Sequence, residues 1–540
     1  MTRPAKIELP PGVSIAAIRA IGPKNIKAML GDGEEIALVD LREELLFSQG
    51  HLLWARSIPL SRLELNFGRL VPRRVTRVVL CDDADGLVER AAIVLARAGY
   101  RNLYCLEGGV AAWRAAGFEL FSGVNVPSKA FGEHVEHAFG TPSISAEQLH
   151  ALMQRGADIV VLDSRPFEEF QRISIPGATN VPGAELVLRL HDLAPSPQTL
   201  VVVNCAGRTR SIIGAQSLIN AGVPHKVAAL RNGTMGWSLA GFECEREKSK
   251  RAPTVSAGGL AFAKAAAERV ARRFQIERID RATLERWRAD ERRTLYVFDV
   301  RDPAEYEAGH VAGAISAPGG QLVQATDQFA GTLHARIVLV DEREVRAVMT
   351  ASWLRQMGWK DVFVLAEGGE EKGRPALPAL GTPPPPERAV DCAQLLAMLG
   401  KESVTLIDLS LSRAYRGGHI SGAWFAIRSR LKRALERIAP QKQIVLTSED
   451  GLLAGLAVAD ASRLTQLPVR YLKGGNAAWR AAGYPMSGDA RMADEPVDAW
   501  LKPYERADDT KGAMSEYLAW ETDLLSRIAR DGTCNFATPR

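Results

Sequence analysis

The segment NCAGRTRS, residues 204–211, follows directly on the apolar run LVVV at residues 200–203. It places a thiol, Cys205, at a strand end and sets Arg208 and Arg210 one residue apart behind it. A thiol attacks only as the thiolate, and a helix N-terminus together with guanidinium groups favours that charged form. The stretch from Ala206 through Thr209 to Arg210 is expected to curl so that successive N–H groups face the sulfur and form an anion nest, with the helix beginning at Ser211. Gly207 permits the tight backbone path, and Arg208 and Arg210 offer forked donors suited to sulfonate or carboxylate oxygens. The chemistry this spells is a cysteine thiolate held beside a ligand that carries oxyanions.

Plainer roles exist for each residue nearby. A cysteine alone at a strand end is often buried packing, and it is the following glycine, arginines and serine that point to catalysis. Asp163 and Arg165 read as a supporting ion pair beneath the loop, and Trp237 as core packing. Arg189 and His191 follow the first crossover and read as solvated charge. His134 and His137 lack further ligands at metal spacing, so no zinc site is expected.

The loop must be carried by a repeated plan. The runs IALVD, IVVLD, LYVFD and VTLID end on Asp40, Asp163, Asp299 and Asp408, and each is followed by a polar turn, a helix start and a second apolar strand. Gly50-His51, Gly309-His310 and Gly418-His419 share one register, which the second copy fills with Ile173-Ser174. Carried forward, that register sets Asp82, Asp341 and Ser448 at the position of Cys205, whereas Cys81 matches Asn204. An aspartate cannot act as a thiol nucleophile, but its carboxylate can fill an N–H nest as a permanent anion. Ser448 has no flanking base, so an activated serine is not expected. Of these loops the third alone keeps an arginine, Arg346, at the Arg210 position. Trp113, Trp237 and Trp479 mark a closing helix that the third copy has without the tryptophan.

Apolar β-branched runs alternating with helical patterns indicate parallel sheets covered by helices, hence an α/β fold. The divisions expected are repeats at 11–122, 140–243, 276–374 and 386–486, a helical linker at 244–275, and a C-terminal helical tail at 487–540 whose helix stops at Gly532. The DSR at 163–165, the C-x-G-x-x-R-S loop and the closing glycine and tryptophan motif resemble the rhodanese (sulfurtransferase) domain family. The resemblance is most specific in the second copy. It implies four tandem rhodanese-like domains, each a five-stranded parallel sheet with helices on both faces, and sulfane-sulfur transfer through a Cys205 persulfide in the second copy only. In that family a six-residue loop, here Cys205 to Arg210, goes with sulfur donors, and a seventh residue goes with phosphatase and arsenate-reductase members. Mercaptopyruvate-type members resemble Cys-Gly-Ser-Gly-Val-Thr at this loop. Two arginines instead suit a doubly charged donor such as thiosulfate, or a persulfide on a polyanionic thiol.

Composition narrows the remaining classes. A chain of 540 residues with 46% hydrophobic and 24% charged residues is ordinary globular protein in several domains. A formal charge of +5 is slight for that length and speaks against a nucleic-acid binder. No run of 18 apolar residues occurs, and MTRPAKIELPPGVS has no apolar signal region, so no membrane association and a cytoplasmic location are expected. Six cysteines without a CxxC pair argue against a disulfide framework. The expected reaction needs no cofactor beyond the covalent persulfide. Its partners are a small anionic sulfur donor and an acceptor such as cyanide, glutathione or another thiol. The alternative is a persulfide carrier that serves a protein acceptor docked on the silent copies.

Overall fold

Strands such as Ile36–Asp40 and Leu200–Asn204 are apolar along nearly their whole length, so both faces must be covered. In the computed structural model, which describes residues 18–376, 378–382, 384–506 and 508–537, each repeat meets this demand with a parallel sheet between helices. Residues 11–17, assigned above to the first repeat, and the last three of the tail lie outside the described residues. In the first repeat the strands are β1 Arg19–Ile21, β2 Ile36–Asp40, β3 Arg56–Ser57, β4 Arg77–Cys81 and β5 Leu103–Leu106, ordered β1-β5-β4-β2-β3. The second and third repeats reproduce that order. The fourth gains a sixth strand, Arg491–Met492, which pairs with Trp424–Phe425. The tail therefore opens as sheet and not helix, because the edge strand Trp424–Phe425 offers unpaired backbone groups to it.

Sheet register settles which residues are equivalent. Asp40 pairs with Cys81, Asp163 with Asn204, Asp299 with Val340 and Asp408 with Thr447. Asp82, Cys205, Asp341 and Ser448 each follow directly, at the C-terminal end of a central strand, where open α/β sheets carry their sites. The Gly-His pairs serve packing: His51, His310 and His419 stack at 3.8 Å on Phe47, Tyr306 and Tyr415, one helical turn earlier.

The connecting segments join the repeats into one body. The connector after the first repeat is a helix, Val126–Phe139, with proline in its first turn and Gly140 in left-handed conformation at its end. It lies between the second-repeat helix Thr209–Asn220 and the C-terminal helix Thr510–Asp531. The Ala-rich linker forms the helix Ala257–Arg273, capped by Ser256, and packs on Leu186–Leu193 and Val345–Gln356 from neighbouring repeats. The first repeat meets the fourth through Arg428, which donates to both Glu64 oxygens at 2.8 Å, and meets the third through Tyr296, whose hydroxyl donates to the Leu70 carbonyl at 2.5 Å. The C-terminal helix is capped by Asp509 and stops at Gly532. Met514 and Leu518 lie on Ala206 and Met235, and Leu524 and Ile528 lie on Leu53, Phe121, Val126 and Ala130. One helix thus bridges the first repeat and the cysteine loop of the second.

Candidate active site

Beneath the loop, Arg165 donates to both oxygens of Asp163, at 2.9 and 2.7 Å, and to the Ile173 carbonyl at 2.6 Å. The Asn204 side chain donates to the same carboxylate at 2.9 Å. Arg42 with Asp40 and Arg301 with Asp299 repeat this arrangement. Trp237 is fully buried and its indole N–H donates to the Glu243 carbonyl at 2.8 Å, as Trp113 does to Glu119 and Trp479 to Pro485. These residues brace the strand end and line no part of the cysteine cavity.

Helix Thr209–Asn220 begins two residues earlier than the sequence pattern indicates, with Arg208 in the cap position. The turn after Cys205 is correspondingly short, and Thr209, Arg210 and Ser211 belong to the first helical turn. The N–H groups of Ala206 to Ser211 donate to no carbonyl or side-chain oxygen within the described residues. Cys205, 2% exposed, lies over this helix start with its thiol 3.5 Å from the Ser211 hydroxyl, which itself donates to the Arg208 carbonyl at 2.8 Å. Gly233, at φ +55°, backs the cysteine: a Cβ there would stand 2.4 Å from the Cys205 carbonyl oxygen. Gly207 does not adopt positive φ. The overlying C-terminal helix leaves little room beside it, since an added Cβ would stand 3.2 Å from a Glu521 oxygen and 3.7 Å from Leu518.

In the other repeats the equivalent nest is filled from within. Asp82 accepts from the N–H groups of Ala84, Leu87 and Val88 at 2.9, 3.0 and 3.1 Å. Asp341 accepts from the N–H groups of Arg343 and Arg346 at 3.2 and 2.8 Å and from the Arg346 side chain at 2.9 Å. Ser448 accepts from the Ala454 N–H at 3.2 Å. The first and third loops therefore display, inside the same chain, the carboxylate-binding capacity of this turn.

The two loop arginines both line the cavity that holds Cys205 but have different surroundings. Arg208 donates at 2.7 Å to each oxygen of the buried Glu133, and also to Glu136 and Asn232. Its fork is committed to the connector helix, whose acidic residues outcompete the cavity. Arg210 donates to Glu169 at 2.9 Å and to Gln321 of the third repeat at 3.0 Å. Burial works against charge on Glu169, but Arg210 and Lys502 hold its carboxyl well below the usual range. Arg210 also interacts electrostatically with Cys205.

Cys205, Arg210 and the turn between them face a cavity of about 320 Å³. Its remaining walls come from elsewhere in the chain: Glu44 of the first repeat, Gln321, Gln324 and Gln328 of the third, Leu411 and Arg413 of the fourth, and Trp500, Lys502, Tyr504 and Tyr517 of the tail. Tyr517 donates at 3.1 Å to Glu521, which also meets Lys129 at 2.9 Å. Burial, followed by the Glu521 charge, drives the Tyr517 hydroxyl far above its ordinary range. None of these wall residues was visible from the motif, and the amphipathic spacing of the tail was the one signal that pointed toward any of them. Arg189 instead pairs with Glu185 at 2.9 Å and His191 stacks on Phe262. A larger cavity of about 680 Å³ lies between the second and third repeats, without a cysteine, and its Arg189, Arg301 and Arg374 are already ion-paired. No group of three or more potential metal ligands occurs among the described residues, and no helix among them is long and apolar enough to cross a membrane.

The family model for the rhodanese-like domain matches residues 22–116, 145–240, 280–371 and 391–482. A crystal structure of thiosulfate sulfurtransferase from Pseudomonas aeruginosa is 47% identical, with a TM-score of 0.92 over 97% of this chain and 100% of that one. A curated thiosulfate sulfurtransferase from Pseudomonas aeruginosa is 27% identical over 35% of this chain and 83% of its own length. The HTH-type transcriptional regulator Rv0324 of Mycobacterium tuberculosis is 29% identical over 29% of this chain and 67% of its own.

Proposed function

The chain belongs to the rhodanese family, and we propose that it is a sulfurtransferase in which Cys205 alone carries the sulfur, taken from thiosulfate and passed to a small thiol or to cyanide. The observation that carries this reading is the contrast between the loops. Asp82 and Asp341 fill their own nests, whereas the second repeat has a thiol at that position and uncommitted N–H groups around it.

In the first half-reaction the Cys205 thiolate attacks the outer sulfur of thiosulfate. A new sulfur–sulfur bond forms, the old one breaks, and sulfite leaves with the electron pair. The loop N–H groups and Arg210 meet the negative charge on the sulfonate and then on the persulfide. In the second half-reaction a thiolate or cyanide attacks the terminal persulfide sulfur, and the Cys205 thiolate is the leaving group. Proton and charge balance close without a metal or redox partner.

The three silent repeats serve as walls and supports of the cavity. A cysteine enclosed by the second, third and fourth repeats and the tail suits a small acceptor, and a protein acceptor would first have to displace the C-terminal helix. The donor named for the Pseudomonas aeruginosa relatives agrees with the anion-binding character of the turn. Intact-mass analysis after incubation with thiosulfate should show one added sulfur in the parent and none in Cys205→Ser. Sulfur found at another cysteine, or retained in the serine variant, would remove the assignment.

A further inference from the structure

The second and third repeats face one another, and each lends a side chain to the other's loop. Six positions after their strand-end aspartates stand Glu169 and Glu305, and twenty-two positions after them stand Glu185 and Gln321. Arg210 bonds its own repeat's Glu169 and the third repeat's Gln321. Arg346, at the Arg210 position of the third repeat, bonds its own repeat's Glu305 and the second repeat's Glu185. The exchange is reciprocal, and its two ends differ in charge.

At the silent end two guanidinium groups meet three carboxylates: Arg189 meets Glu185 at 2.9 Å, and Arg346 meets Glu185 at 2.8 Å, Asp341 at 2.9 Å and Glu305. Arg346 is fully buried. At the Cys205 end two cations, Arg210 and Lys502, share the single carboxylate of Glu169, at 2.9 and 3.0 Å. The residue that separates these outcomes across the junction is Gln321, whose amide oxygen accepts the same kind of bond that Glu185 accepts at the other end. A neutral acceptor orients the guanidinium without cancelling its charge, whereas a carboxylate at that position would do both.

We propose that Gln321 is a positioning residue which the silent third repeat contributes to the Cys205 cavity, holding Arg210 in place while leaving its charge to select anionic donors. This inference deepens the Cys205 reading above and rests on it for the identity of the donor. It assigns the third repeat a defined part in specificity. It also predicts that one substitution, Gln321→Glu, shifts the charge around Arg210 toward that of the silent loop.

The test compares alkylation of Cys205 by iodoacetate, an anion, and iodoacetamide, its neutral analogue, followed by peptide mass. The parent, Gln321→Glu, Gln321→Met and Glu185→Gln are measured, with folding checked by circular dichroism. In Gln321→Glu the iodoacetate-to-iodoacetamide rate ratio should fall by about tenfold or more, since an added anion in a low-dielectric cavity repels the charged reagent, while its effect on the thiolate is common to both reagents and cancels in the ratio. In Gln321→Met, which loses the bond that holds Arg210 but adds no charge, the ratio should fall only about two- to fivefold, and in Glu185→Gln it should stay within about twofold of the parent. An unchanged ratio in Gln321→Glu, or an equal fall in Gln321→Met, would overturn the proposal. Sulfur loading from thiosulfate is followed in the same samples, where Gln321→Glu should raise the donor KM and leave kcat nearly unchanged. Loss of loading in the parent would sink the Cys205 reading while leaving the alkylation ratio to judge Gln321.

Discussion

Replacing Arg208 by alanine and, separately, Arg210 by alanine should give opposite phenotypes. Arg208→Ala strands Glu133, whose side chain is 1% exposed and loses two bonds of 2.7 Å. Removing one partner of a buried ion pair costs about 3 to 5 kcal/mol, so the loss should appear as a lower denaturation midpoint. Arg210→Ala leaves Glu169 with Lys502 at 3.0 Å, so that carboxylate keeps a cationic partner and the stability loss should be clearly smaller than in Arg208→Ala. What Arg210→Ala removes is a charged donor to the bound anion, about 1.5 to 3 kcal/mol, or roughly a tenfold to 150-fold rise in KM for thiosulfate. Urea denaturation and steady-state sulfur transfer on the same preparations separate the two effects. The double variant Arg208→Ala with Glu133→Gln should recover most of the stability, because no buried carboxylate then lacks its partner. The reasoning fails if Arg208→Ala raises the donor KM as much as Arg210→Ala while its denaturation midpoint stays at the parent value.

Three further outcomes can be checked. Asp82→Cys should take up no sulfur from thiosulfate, because its turn keeps Asp83 and Asp85 and has no arginine at the position of Arg210; mass-detected loading at residue 82 at a rate like that of Cys205 would contradict this. Burial, against hydrogen bonds from Ser429 and Ser61, pushes the Glu43 carboxyl from 4.5 up to about 7 where the first and fourth repeats meet. A raised folded-state value means the contribution is complete below about 4.5 and is lost as pH rises to about 7, so the stability of the parent relative to Glu43→Gln should fall by about 3 kcal/mol across that window. A difference that is flat with pH would show that Glu43 does not titrate there. Leu518→Ala should loosen the C-terminal helix over Ala206, costing about 2 to 4 kcal/mol in local packing, and should speed iodoacetamide labelling of Cys205 without lowering the stability of the fourth repeat. Unchanged labelling would mean that this helix does not limit access.

The repeat register was legible in the sequence because it depends on local rules. A buried strand must end somewhere, an aspartate at that end needs a partner, and constant spacing carries the pattern forward to Cys205, Asp82, Asp341 and Ser448. Sheet pairing of Asp40, Asp163, Asp299 and Asp408 with the residue before each of these positions is the geometric expression of that spacing. The ability of an aspartate to occupy its own nest follows from the same local chemistry.

What the sequence left open was decided by contacts between segments far apart in the chain. Nothing in AGRTRS states that Arg208 will turn toward Glu133 and Arg210 toward Gln321, because both have the same fork and reach and the choice belongs to whichever carboxylates packing brings near. Gly207 reads as a flexible turn residue, yet the atom that crowds it most belongs to Glu521, on a helix more than three hundred residues later. The cavity likewise belongs to no single repeat. Its Arg210 bonds Gln321 of the third repeat, its enclosure comes in part from Trp500 to Tyr517, and both depend on how four similar sheets pack, which a one-dimensional pattern does not encode.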